Sequence, residues 1–104
     1  MLIEVNTGNT IQGGEELNKY IKEMLESALS NFADQVTRVE VNLSDQNGAK
    51  GGGEDKHCAM EVRLANRKPT AVTCNAETLD LAILGATDKL KHSIEHILGR
   101  LYDH

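Results

Sequence analysis

Two alternating stretches, separated by a long glycine-rich insert, limit the fold of this chain more than any other feature. Val39, Val41 and Leu43 alternate with Arg38, Glu40 and Asn42. Cys58, Met60, Val62 and Leu64 alternate with Ala59, Glu61 and Arg63. A period of two writes a strand with one buried face and one wet face. The two strands read as a hairpin. Its link, residues 45–56, spends about a dozen residues where a few suffice. Asn47-Gly48 and Gly51-Gly52-Gly53 punctuate it, so it reads as a flexible loop inside a hairpin and not as a domain boundary.

The flanking segments complete the architecture. Leu2 to Asn6 reads as a short strand. A helix is expected over roughly Glu15 to Phe32, where Leu17, Tyr20, Ile21, Met24, Leu25, Ala28, Leu29 and Phe32 recur at helical spacing and form the buried stripe. After the third strand, Asn66 to Pro69 is a tight polar turn. Thr70 to Cys74 is a fourth strand, with Val72 and Cys74 inward. Asn75 or Thr78 caps a final helix that runs to about Leu101. The order is strand, helix, three strands, helix. A helical crossover sets the first strand parallel to its neighbour, and the last three strands form an antiparallel meander. Both helices then cover one face of a four-stranded mixed sheet, a two-layer α+β sandwich. At 104 residues the chain is a single domain, 1–104, able to fold without metal or disulfide help.

The two cysteines, Cys58 and Cys74, fall on inward positions of neighbouring strands and read as small buried hydrophobes. A structural disulfide is not expected in a reducing compartment. A zinc site would need two further ligands, and His57 points to the opposite face from Cys58.

A net charge of −5 argues against indiscriminate nucleic-acid binding. The balance is uneven. Residues 1–54 hold four Lys or Arg against nine Asp or Glu, whereas residues 55–104 hold seven of each. Any positive surface must come from clustering in the second half. On the final helix the core stripe is Leu79, Ile83, Ala86, Leu90, Ile94, Ile97 and Leu101. Lys89, His92, His96 and Arg100 fall together on a flank beside it, with Asp88 and Glu95 directed elsewhere. Cations and imidazoles at one-turn spacing suit a phosphate backbone, the more so at mildly acid pH. Taken alone, such a row more often marks a solvated helix face near its C-terminal dipole. Arg67 and Lys68 form a second basic group in the last turn. Lys56 and Arg63 lie on or near the third strand, Arg63 placed to pair across strands with Glu40 or with the neighbours of Glu61.

Other chemistries find little support. Gly51 to Gly53 lack the phosphate-loop arrangement. Tyr20 and Phe32 belong to the buried stripe, so no rings are left to stack bases on the sheet, and any RNA contact runs through backbone and shape. His92 and His96 are four apart, but no H-E-x-x-H surrounds them and no third ligand is indicated. No Ser–His–Asp or Cys–His spacing appears. The expectation is a binding protein and not an enzyme, with no cofactor, no metal and no small-molecule substrate. No apolar run has membrane-span length, and the start MLIEVNTGNT is not a signal peptide, which makes the cytosol the expected compartment. Leu81 and Leu84, beside Gly85, lie off the core stripe. They either receive a protein partner or lie under the first helix or a loop.

The wording Asp45-x-Asn47-Gly48-x-Lys50-Gly51-Gly52, then Asp55-Lys56-x-Cys58 and Glu61-Val62-Arg63, resembles the ribosome hibernation-promoting factors and ribosome-associated inhibitors, also called sigma-54 modulation proteins. So does the helix text Leu81-Ala82-Ile83 through Asp88-Lys89-Leu90. The likeness spans Leu2 to Arg100. It implies a fold similar to double-stranded-RNA-binding domains. It also implies a cytoplasmic translation inhibitor that binds small-subunit rRNA in the channel used by mRNA and tRNA anticodons under stress. Matched by position, Lys89, His92, His96 and Arg100 fall where the family usually carries Lys or Arg, with Arg67, Lys68, Lys56 and Arg63 at nearby sheet edges. Two of the four helix positions are histidine, the chain is acidic, and it ends at His104 as short members do. The competing expectation is an acidic protein-interaction module of the same fold that has lost ribosome binding.

Overall fold

The computed structural model describes residues 1–8, 14–45 and 55–102, with side chains up to residue 99. Strands β1 (Leu2–Thr7), β2 (Val36–Asp45), β3 (Lys56–Leu64) and β4 (Thr70–Ala76) form one sheet in that order, with helices α1 (Glu15–Ala28) and α2 (Leu79–Tyr102) completing the chain. β1 runs parallel to β2, and β2, β3 and β4 form the antiparallel meander. The register puts like with like: Ile3 meets Val39, Val41 meets Met60, and Met60 meets Val72. A one-residue slip would turn every one of these side chains to water. The core is their shared face closed by Ile21, Leu25 and Leu29 on one side and by Ala82, Ile83, Ala86, Leu90, Ile94 and Leu98 on the other. No helix among the described residues is long and apolar enough to cross a membrane.

Three expectations need correction. The first helix stops at Ala28, and a 3-10 turn over Ser30–Phe32 follows. Ser30 and Asn31 compete with the helix for backbone partners, so the last turn tightens instead of continuing. Tyr20 is 43% exposed and not part of the buried stripe. Its hydroxyl needs a polar partner and donates to Asp80 Oδ1 on α2 at 2.8 Å. On α2, Ala82 and Leu98 join the core while Leu79 and Ile97 are only half-buried. The apolar stripe of a helix lying on a sheet is wider than a single line of residues. The Leu101 side chain lies outside the described residues, as do residues 46–54 of the glycine-rich loop.

Thr78 provides the N-cap of α2, its Oγ1 accepting from Leu81 N at 3.1 Å. Asn75 is the strand residue that meets His57 across the sheet. Removing the cap by Thr78→Ala is expected to cost about 1 kcal/mol of unfolding free energy. An unchanged urea midpoint would show that the cap does not hold the helix start. Further along, a Cβ at Gly85 would collide with Cys74 Sγ. That glycine seats α2 directly on β4.

Candidate nucleic-acid interface

α2 folds back antiparallel over β4, the edge strand, and this brings two basic groups together. Gly85 sits against Cys74, and Lys89 Nζ donates to the Thr73 carbonyl at 2.8 Å. The ammonium covers an open edge carbonyl and meets no carboxylate among the described residues. Further on, His92, Ser93, His96 and Ile97 face Thr70 across an open cleft of about 400 Å³. A second cleft, of about 370 Å³, is lined by Leu64, Asn66, Arg67, Lys68 and again Ile97. The two clefts adjoin at Ile97. The turn that presents Arg67 and Lys68 closes through Arg67 N to Leu64 O at 3.1 Å. Asn66 takes the left-handed conformation there, φ 61°, which its side chain tolerates better than most. Arg67 and Lys68 are both exposed.

The geometry separates the other candidates from this cluster. The backbone of α2 carries Arg100 one turn beyond His96, while its side chain lies outside the described residues. Lys56 stands at the far end of β3, opposite Ala76. Its Nζ binds Asp45 Oδ2 at 2.9 Å and lies 3.7 Å from Asp55 Oδ2. The hydrogen bond it donates to Asp45 raises its pKa above the usual lysine value, so it stays charged but its charge is largely answered. Arg63 is exposed on the outer sheet face, in register with Arg38. It is Arg38, and not Arg63, that takes Glu40, at 2.9 Å, together with Glu4. Arg38 stands beside Glu4 and Glu40 on its own side of the sheet, which satisfies both acids before Arg63 reaches them.

Helical spacing alone directs Asp88 away from the flank. Its Oδ2 instead lies 3.6 Å from His92 Nδ1, because residues four apart on a helix are neighbours. Both side chains are about 70% exposed, so this pair tempers the cationic flank weakly. A third cleft, between Asn31, Phe32 and Gln35 and the end of α2, has Glu95 as its charged residue and offers no phosphate site. Among the described residues no three His, Cys, Asp or Glu gather as a metal ion would require. Sequence reasoning missed the polar lining of Thr70, Ser93 and Asn66. Ser93 lies next to His92, and that adjacency was the available signal.

The outer face of the sheet is different in character. Glu4, Glu40 and Glu61 lie in register across three strands, with Arg38 and Arg63 in register beside them. The charges of that face are thus nearly balanced across the strands, whereas Lys89, Arg67 and Lys68 gather with two histidines along the α2–β4 flank.

Residues 5–102 match the profile of the family described as sigma 54 modulation protein / S30EA ribosomal protein. Two solved structures are similar in fold. One is the N-terminal domain of Protein Y from Thermus thermophilus, 18% identical with a TM-score of 0.75, the match covering 93% of this chain and 99% of that one. The other is a ribosomal subunit interface protein from Coxiella burnetii, 14% identical with a TM-score of 0.70, covering 95% and 99%. No curated protein sequence matches the chain.

Proposed function

Because this chain belongs to the sigma 54 modulation protein / S30EA ribosomal protein family, we propose that it is a ribosome-associated factor that seats on small-subunit rRNA in the decoding channel under stress. It blocks translation there by excluding mRNA and tRNA, with no reaction turned over. The observation that carries this reading is the pair of adjoining clefts, with His92 and His96 on one wall and Arg67 and Lys68 on the other. Lys89 extends the line along the β4 edge. Phosphates spaced along an RNA backbone suit such a row of donors, and the absence of Phe, Tyr and Trp from the four strands agrees with recognition by shape rather than by base stacking.

The test is sedimentation with isolated small subunits through sucrose gradients at about 50 mM and about 200 mM salt, a range over which phosphate contacts weaken steeply. The protein is expected to travel with the subunit at the lower concentration and to be released at the higher one. Failure to co-sediment even at low salt would overturn the reading and leave the acidic interaction module in its place.

A further inference from the structure

Tyr20, Leu81 and Leu84 are 43%, 54% and 44% exposed. Tyr20 on α1 and the two leucines near the start of α2 are brought to the same side of the molecule by the Tyr20–Asp80 hydrogen bond. Tyr20 Oη reaches Asp80 Oδ1 at 2.8 Å, Leu81 follows Asp80 in sequence, and Leu84 lies one turn beyond Asp80 on the same side of α2. Carboxylates border these residues. Glu16 and Glu23 share the Tyr20 side of α1, while Glu77, just before the Thr78 cap, and Asp88 on α2 bracket the leucines in sequence, and all four are exposed. Lys19 and Lys22 lie about 100° and 200° round α1 from Tyr20. Lys91, two turns past Leu84 on the same side of α2, is a cation at the far edge of this group of carboxylates. α2 therefore carries Lys89, His92 and His96 along its β4 flank, and near its start two exposed leucines bordered mainly by carboxylates.

That acidic border selects the occupant. Phosphates and anionic lipid headgroups are repelled by it. A second copy of this chain would set carboxylate against carboxylate in a molecule already at −5. A protein segment with leucine-like side chains flanked by Lys or Arg answers both the apolar centre and the acidic rim. We propose that the Tyr20–Leu81–Leu84 patch docks a basic amphipathic helix of a protein partner. The inference stands independently of ribosome binding.

A fluorescent synthetic leucine–lysine helix serves as the probe, with a leucine–glutamate helix of the same pattern as the control. Amide shifts in the full chain should change around Tyr20, Leu81 and Leu84 with the basic peptide and stay unchanged with the acidic one. Leu81→Gln/Leu84→Gln, at exposed positions where folding is not at stake, should weaken peptide binding at least about tenfold. Glu23→Lys/Asp88→Lys should weaken it while leaving both leucines in place. Three results would overturn the proposal: unaltered affinity in the leucine variant, equal binding of the acidic helix, or shifts confined to other surfaces. Concentration-dependent dimers that disappear in the leucine variant would overturn it in favour of a second copy.

Discussion

Reversing charge at both Arg67 and Lys89, by Arg67→Glu/Lys89→Glu, is expected to lower affinity for the small subunit about a hundredfold or more. It should also reduce the log–log salt slope by about 2, roughly one for each phosphate no longer neutralised. A hydrogen bond to a charged group contributes about 1.5–3 kcal/mol, and removing two of them multiplies to that factor. The two residues sit on different elements: Arg67 lines the cleft at the β3–β4 turn, and Lys89 on α2 binds the Thr73 carbonyl further along β4. A site that spans both should feel both. The control is Lys19→Glu/Lys22→Glu on the exposed side of α1, which changes the net charge equally. If it weakens binding as much, total charge and not the proposed row is responsible, and the site assignment falls. Lys89→Glu also removes the bond to the Thr73 carbonyl, so far-ultraviolet circular dichroism of each variant must match the parent.

The strands were legible because one face of each is buried and the other wet. Alternation therefore names the inward residues of β2 and β3 directly, and the structure buries Val39, Val41, Leu43, Cys58, Met60, Val62 and Leu64. The approach of the two basic groups was legible in principle. From Gly85 to Ser93 the helix rises about 12 Å, and from Cys74 back to Thr70 the strand spans about 13 Å. A helix returning antiparallel over the last strand thus brings His92 and His96 to Thr70 and the turn. What patterning could not supply was the phase of that return, which depends on Gly85 accepting the Cys74 sulfur. Charge pairing was least legible. Asp88 turns to His92, Arg38 takes Glu40, and Lys56 is held by Asp45 and Asp55. Each choice rests on side-chain rotamers and cross-strand neighbours that spacing alone leaves open.

Alkaline destabilisation through Cys58 is the second large effect expected. Cys58 and Cys74 are free thiols directly opposed on β3 and β4. Burial, with a smaller contribution from Cys74, pushes the Cys58 thiol up to about 12, whereas an unfolded chain releases that proton near about 8.5. Between those values the folded state holds a proton that the unfolded state has released, so stability falls as pH rises. The contribution is fully present below about pH 8.5 and is lost progressively towards pH 12, roughly 4–5 kcal/mol in all. Tyrosines and lysines also titrate in that range. The measurement is therefore the difference in urea-unfolding free energy between the parent and Cys58→Ala, followed from pH 7 upward. The variant carries a constant cavity cost, and the gap between the two proteins should close as pH rises. A gap that stays constant would show that Cys58 ionises equally easily in both states. Thiol labelling at pH 8 gives an independent reading, since thiolate and not thiol reacts. Cys74, half-buried at the seat of Gly85, should react in the native protein, and Cys58 only as the sheet opens. Equal native rates for the two would contradict the burial from which the pH dependence follows.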